Sequence, residues 1–365
     1  MRVLACNSSY GSGGIGQHFA HLVEASRRAG ELAAYYCNTP KPADARGAQV
    51  DRADWERWLL RYTPVRFSPQ WQSYLNNELF DYRAARRLEA DDVSAKCFMG
   101  FVGKSLRSFH AARRLGIETL ELIAANSHVE NVRALHERAA ADQGIRDTWL
   151  HDREVEKTLR EYEMADVIYV HSEYTRQSFL DWGVAADRLK RTFLHPAPRF
   201  QPPDARPDDD IFHVAYVGRI DATKGIPLLL EAFAQLDVPN KRLTLVGGWS
   251  TRRMRQFMED WLDRDLDIQM APGDPLPVLH RADVFVHPTY EDGFGYAPME
   301  ALACGVPVIA TEDTGMKEYL VDGTNGFVVP TGDGDAILDR LHDIAHHPLA
   351  QTRDLTPASQ TAPAG

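Results

Sequence analysis

The chain has 365 residues, of which 44% are hydrophobic and 25% charged, and a formal net charge of −11. These values describe a globular chain long enough for two domains with separate cores, and they exclude a collagenous or intrinsically disordered one. No apolar run reaches the roughly 20 residues that cross a bilayer. The acidic balance excludes nucleic acid as the main partner, because phosphate binding needs a net basic surface. Charge is unevenly divided: residues 1–197 sum to +1 and residues 198–365 to −12, which places a domain boundary near residue 200.

The chain opens on a strand-like run at residues 2–6, so no signal peptide is expected. Cys6, Cys37, Cys97 and Cys304 are scattered without metal-ligand spacing, and reduced thiols in a cytoplasmic protein are expected. A strand at 3–7 leads through a Gly/Ser loop, 8–14, into a helix over 15–29 stopped by Gly30. A second strand follows at 32–37. Residues 54–88 are rich in Trp, Tyr and Arg and read as helical, with Trp55, Trp58, Trp71 and Tyr74 taken as core rather than as a sugar-stacking platform. Strands at 97–102, 119–125 and 167–171 alternate with helices at 106–115 and 153–164.

Proline and acid dominate residues 196–210, which read as a linker. Alternation then resumes, with strands at 213–217, 243–246, 267–270, 283–287 and 306–310 and intervening helices. This pattern predicts an α/β protein with a mostly parallel sheet in each half: domains at 1–197 and 198–347, then a disordered tail at 348–365. Ligands of such sheets bind at the carboxyl ends of the strands.

The most informative stretch is Asp292-Gly293-Phe294-Gly295-Tyr296-Ala297-Pro298-Met299-Glu300. Two carboxylates bracket a Gly-aromatic-Gly turn between a strand and a helix. The turn offers amides at a helix N-terminus for an anion, and Glu300 offers an acceptor for vicinal hydroxyls. Diphosphate and ribose are the obvious pair. A second loop, Gly218-Arg219-Ile220-Asp221-Ala222-Thr223-Lys224-Gly225, sets two cations beside flexible backbone. Read alone it is as compatible with a solvated loop; beside the first motif it reads as phosphate-binding.

Gly13 and Gly14 open the first helix but lack a dinucleotide fingerprint, so close helix–strand packing explains them equally well. His128 follows a predicted strand, where a side chain can reach a cleft, although a lone histidine is more often structural. Asp208-Asp209-Asp210 is rejected as a metal site for want of further ligands. Arg86, Arg87, Arg113, Arg114, Lys104 and Arg107 read mainly as a solvated face, with weak peripheral contact to anionic lipid as the minor reading.

Together these motifs resemble the retaining glycosyltransferases of family 4, over roughly residues 1–345. The resemblance rests on Gly13-Gly14, on Gly218-Arg219 through Lys224-Gly225, on Asp292 to Glu300, and on Val321-Asp322-Gly323-Thr324-Asn325-Gly326-Phe327-Val328-Val329. It implies the GT-B fold, two facing Rossmann-like domains, the first for the acceptor and the second for a nucleoside diphosphate sugar. It implies that Arg219 and Lys224 hold the diphosphate together with the Gly218, Gly293, Phe294, Gly295, Tyr296 and Ala297 segments. Glu300 would then take ribose, and Asp292 or Glu291 and His128 the transferred sugar. No metal or other cofactor is implied. Asp292 departs from the family's first glutamate, and the chain ends early for the family. The base, the sugar and the hydroxyl acceptor (a glycan, a lipid-linked sugar or a small molecule) stay open. So do two alternative readings, a nucleotide-sugar epimerase and a non-catalytic nucleotide-sugar binder.

Overall fold

The computed structural model describes residues 1–50, 53–91, 93–205 and 209–349. Most of the expected disordered tail, and Asp208 of the acidic run, lie outside the described residues. The chain forms two compact units. The first comprises Met1–Asn131, Trp149–His171 and Thr175–Thr192; the second comprises Val132–Thr148, Ser172–Tyr174 and the chain from Phe193 onward.

The first unit is built on a seven-stranded sheet of order β3-β2-β1-β4-β5-β6-β7. Its strands are β1 (Arg2–Ser9), β2 (Leu32–Thr39), β3 (Gly47–Gln49), β4 (Cys97–Phe101), β5 (Thr119–Ile123), β6 (Val167–Val170) and β7 (Leu189–Arg191). Every pairing is parallel. Helices cover such a sheet on both faces, and the near-continuous apolar runs of β1 and β4 follow from that double burial. Leu4, Phe19, Tyr35, Met99 and Ile123 form part of its core.

The second unit carries a six-stranded sheet of order β10-β9-β8-β11-β12-β13. These strands are β8 (Phe212–Val217), β9 (Lys241–Val246), β10 (Ile268–Met270), β11 (Val284–His287), β12 (Val308–Thr311) and β13 (Gly326–Val329). One apolar cluster, including Leu229, Phe233, Leu243, Met258 and Ile337, and another, including Phe285, Phe294, Leu302, Val306 and Tyr319, make up its core. In both sheets the strand order reverses once, between β1 and β4 and between β8 and β11. The loops leaving these strands diverge there, and the crevice between them is where doubly wound sheets bind ligands. The expected pair of parallel Rossmann-like units is what the chain forms.

Several expectations shift. Residues 54–88 form three pieces, a helix at Asp54–Tyr62, a 3-10 turn at Pro64–Phe67 and a long helix at Pro69–Ala90. Pro64 and Pro69 start the second and third pieces, because proline suits the first turn of a helix and not its interior. Trp55 and Trp58 are not core: each is 59% exposed. The described residues of the supposed linker belong to the second unit: Phe200 is buried in the second cluster, and His280 Nε2 lies 3.0 Å from the Gln201 carbonyl.

The arginines of the supposed basic face are mostly paired. Arg87 meets Asp91, Arg107 meets Glu78, Arg113 meets Asp166 and Arg114 meets Glu89. A phosphate-attracting surface on that face is therefore largely neutralised. Phe233 is fully buried in the second unit, so Phe233→Ala should lower its stability by about 3–5 kcal/mol through lost burial and the cavity left behind. Urea unfolding followed by circular dichroism measures this.

Candidate active site

A dense polar constellation in the second unit sits where β8 and β11 end side by side. The loop after β8 is shaped by its glycines. Gly218 has φ +155°, with the Tyr216 hydroxyl 2.7 Å from where a Cβ would stand. Gly225, at φ +70°, starts the helix Ile226–Gln235, and a Cβ there would overlap the Pro288 carbonyl oxygen of the neighbouring loop. Only glycine allows both the left-handed backbone and that approach. The consequence is that Lys224 is delivered against the β11 loop.

Lys224 Nζ donates to Asp292 Oδ2 at 3.0 Å and to the Glu291 carbonyl at 2.9 Å. An ammonium has three hydrogens, so one is left for a further acceptor. His287, at the end of β11, sets Nε2 3.3 Å from the same Asp292 oxygen. Burial pushes the Asp292 carboxyl up, but the Lys224 ammonium and His287 outweigh it and hold the group well below the usual carboxylate range. Burial likewise lowers the His287 imidazole, against the pull of Asp292. Asp292 is thus an ionised anchor for Lys224.

Asp221 is the organiser that the sequence reading passed over. It is fully buried; its Oδ1 accepts from Thr223 Oγ1 at 2.7 Å and from the Lys224 amide at 2.8 Å. Its other oxygen pairs with Arg219 Nε. Arg219 is 41% exposed at its side chain, so one edge of the guanidinium is held while the rest faces outward. Two residues of the 132–148 segment brace the same loops: Gln143 Nε2 donates to the Ala222 carbonyl at 2.7 Å, and Tyr290 donates to Asp142 at 3.1 Å. Nothing in the local sequence marks that segment as a partner of these loops.

After Asp292 the chain turns at Gly295, φ +92°, the N-cap of the helix Tyr296–Ala303. The amides of Tyr296 and Ala297 lie in its first turn, where no preceding carbonyl serves them, and the helix dipole adds positive potential. Gly293 offers its carbonyl to Ser172 Oγ at 2.6 Å. The ring of Phe294 is buried in the core, edge-to-face with Tyr319 at 5.7 Å, so it anchors the turn.

Glu300 stands one helical turn beyond Tyr296. It is 6% exposed, and burial pushes its carboxyl up to about 7, partly opposed by Arg199. The Tyr296 hydroxyl is buried with no hydrogen-bond partner among the described residues. Burial raises its pKa, and the Glu300 carboxyl raises it further. An orphaned donor close to an under-solvated acceptor, on one helix face, is an arrangement short of a polar ligand. The aromatic at position 296 was the available signal.

The first unit's candidates are placed differently. Gly13 and Gly14 are exposed at the start of the helix Gly13–Arg28, Gly13 at φ +63°. The packing glycine there is Gly16, whose Cβ would overlap the Ser9 carbonyl. His128 is 3% exposed, stacked on Trp182 at 5.5 Å and edge-on to Phe179 at 5.2 Å. Burial pushes its imidazole down to about 4. The neutral ring lies among aromatics, with Nδ1 accepting from the Glu130 amide at 3.3 Å. Among the described residues no group of three or more His, Cys, Asp or Glu side chains is arranged to hold a metal ion, and Asp209 is paired with His213.

The anchoring role of Asp221 is testable. Asp221→Ala strips one buried partner from Arg219, Thr223 and the Lys224 amide, and should lower the stability of the second unit by about 3 kcal/mol. Thermal denaturation, with Asp221→Asn as the milder comparison, measures the loss.

Residues 199–360 match the family model of the glycosyl transferases group 1. The O-antigen chain mannosyltransferase B of Escherichia coli is 30% identical over 234 residues, 57% of this chain and 60% of that protein. The GDP-mannose-dependent alpha-(1-6)-phosphatidylinositol monomannoside mannosyltransferase of Mycolicibacterium smegmatis is 33% identical over 208 residues, 50% of this chain and 54% of that one. The capsular polysaccharide biosynthesis glycosyltransferase CapM of Staphylococcus aureus is 33% identical over 141 residues, 37% of each chain. The chain thus spans from 37% to 60% of the length of these curated relatives. Among solved structures, the sucrose-phosphate synthase of Thermosynechococcus elongatus superposes with a TM-score of 0.73 at 20% identity, covering 96% of this chain and 91% of that one. HepE of Anabaena in complex with UDP superposes with a TM-score of 0.65 at 14% identity, covering 95% and 90%. These likenesses are of fold, the GT-B class expected from the sequence. Residues 199–360, within the second unit, are thus similar to the glycosyl transferases group 1 family.

Proposed function

We propose that the protein is a retaining glycosyltransferase that moves a sugar from a nucleoside diphosphate sugar to an acceptor hydroxyl without a metal ion. The observation that carries this reading is the junction of the β8 and β11 loops. There a pinned ammonium, Lys224, an outward guanidinium, Arg219, and a helix N-terminus lie at one switch point, with the buried carboxyl of Glu300 one turn along. Cations and amides suit a diphosphate; a buried carboxyl beside an orphaned phenol suits a ribose diol.

Breaking the glycosyl–phosphate bond places negative charge on the departing diphosphate. Lys224 is already oriented by Asp292 and Glu291, and Arg219 by Asp221, so stabilising that charge requires little reorganisation. Asp292 acts here through Lys224, because both the ammonium and His287 already occupy it. With no second carboxylate in a nucleophile's position among these residues, the acceptor hydroxyl attacks from the face the phosphate leaves. The phosphate takes its proton, and configuration is retained. His128 has no part in this scheme.

Several relatives carry names that state a donor or ligand: one is GDP-mannose-dependent and HepE is in complex with UDP. The donor here is therefore assigned by class, and a thermal-shift panel of UDP-, GDP-, ADP- and TDP-sugars is the direct measurement. A bound donor should raise the melting temperature by mass action. Lys224→Ala and Glu300→Ala should each abolish that shift and cut transfer at least about a hundredfold. Wild-type-like turnover in both would sink the site. Epimerised donor formed without acceptor would instead indicate an epimerase.

Glu300 also sets a pH dependence. Its folded pKa, about 7, lies above the ordinary 4.5, so the carboxyl is protonated in the folded protein below about 7. Donor affinity should then fall as pH drops through 7, as the acceptor for the ribose hydroxyls gains a proton. The diphosphate of a nucleotide sugar has no ionisation there to confuse the reading. The same raised pKa means that folded-state stability declines as pH rises from about 4.5 to 7, since the unfolded chain ionises first. Glu300→Gln should flatten both profiles, as calorimetric titration and pH-dependent denaturation would measure.

A further inference from the structure

The helix Asp54–Tyr62 is inside out. Its buried residue is a carboxylate, Glu56, 2% exposed and paired with Arg83. Trp55, Trp58 and Tyr62, spaced i, i+3 and i+7 on one face, are 59%, 59% and 61% exposed. Phe67 in the following 3-10 turn is 66% exposed, and Trp71 at the start of the next helix 36%. A surface helix of a globular protein ordinarily turns its apolar face inward. Here the most buried side chain is a carboxylate, with Leu59 and Leu60 only half-buried beside it, and the aromatic stripe faces solvent. Exposing several large aromatics in one place works against folding stability, and contiguous patches of this kind mark interaction surfaces.

The charges around the stripe indicate its partner. Arg57, Arg61 and Arg66 are exposed, and Arg61 and Arg66 lie over the rings of Tyr62 and Phe67 at 5.7 and 4.4 Å. Arg153 covers Trp71 at 5.4 Å. With Glu56 neutralised inside, Asp54 is the acid displayed on this helix and pairs with Arg57 at 3.7 Å, which leaves the charges of Arg61 and Arg66 in excess. The face is therefore net basic on a chain whose formal charge is −11. Tryptophan and tyrosine with interleaved arginine is the composition of a helix lying in the headgroup plane: rings enter the acyl boundary and guanidinium groups reach up to phosphates. Among the described residues no helix is long and apolar enough to cross a membrane, so the contact is one of lying on the bilayer.

We infer that residues 55–71 form a membrane-docking face that seats the first unit on an anionic bilayer surface. The inference is independent of the donor site. This aromatic face is distinct from the paired arginines at 87, 107, 113 and 114.

The test uses the full chain with vesicles of phosphatidylcholine alone and of phosphatidylcholine with phosphatidylglycerol. Cosedimentation is expected with the anionic vesicles and should weaken at high salt, with a blue shift of tryptophan emission and quenching by brominated lipid. Trp55→Ala/Trp58→Ala should lower binding about tenfold or more, and Arg57→Glu/Arg61→Glu should remove the preference for anionic lipid. Because these side chains are exposed, the melting temperature of both variants should match the parent, which separates docking from unfolding. No sedimentation with either vesicle, or equal sedimentation of parent and double tryptophan variant, overturns the inference. Quenching of the same tryptophans by soluble oligosaccharide, without vesicle binding, overturns it in favour of a glycan platform.

Discussion

The Lys224–Asp292 ion pair is the contact on which the second unit's chemistry depends. It joins the loops of two adjacent strands, β8 and β11, and it exists only because Gly225 lets the first loop touch the Pro288 carbonyl of the second. A side chain at 225 would push the loops apart and carry the ammonium with them. The pair is partly shielded, with side-chain exposures of 19% and 23%, so its attraction is less screened than a surface pair's and its geometry is fixed in advance. Asp221 does for Arg219 what Asp292 does for Lys224. Each cation is held by a carboxylate on its inner side and keeps capacity to meet an anion on the other.

The two acids that bracket the motif have opposite environments. Asp292 faces an ammonium and an imidazole, and its carboxyl sits well below the ordinary range despite burial. Glu300, eight residues on, has lost solvent without gaining a close cation, and burial pushes it up to about 7. Pairs of titratable groups driven apart in this way are a feature of sites that handle charge and hydroxyl groups together. An acid that is costly to ionise in the empty protein regains much of that cost when a diol donates to it. The same argument explains the orphaned Tyr296 hydroxyl beside it.

Much of this was legible in the sequence because local chemistry dictates it. The alternation of apolar strands with glycine-stopped helices specified two parallel sheets, and the glycines at 218, 225 and 295 marked backbone that other residues cannot adopt. What escaped was set by distance along the chain. β3 and β7 have three residues each and exist through pairing at sheet edges, which no local pattern encodes. The helices Val129–Gln143 and Glu173–Asp181 lack the clean periodicity that flagged their neighbours. Asp221 looked like filler between two cations until its burial placed it beneath both. His128 and Phe294 sit at suggestive positions, yet their rings are enclosed by Trp182 and Phe179 in one case and packed on Tyr319 in the other. Whether a side chain at a strand end faces ligand or core is decided by elements packed from elsewhere.

The tryptophan-rich segment shows the same limit from the opposite side. Its spacing satisfies the rule for an amphipathic helix, and the rule correctly predicts a helix with one aromatic face. It does not say which face turns inward. In the structure Glu56 takes the inward side, buried and paired with Arg83, a placement whose desolvation offsets much of the pair's attraction. Once Glu56 is inside, geometry forces Trp55, Trp58 and Tyr62 out. Nearby arginines then lie over exposed rings and partly shield apolar area from water. The first unit thus keeps a buried charge and an exposed aromatic face, two costs that a chain shaped for stability alone would exchange for each other. Departures from local consistency of this kind are where function is expected. The donor loops depart in the same way, with a carboxyl buried short of partners and cations aimed outward.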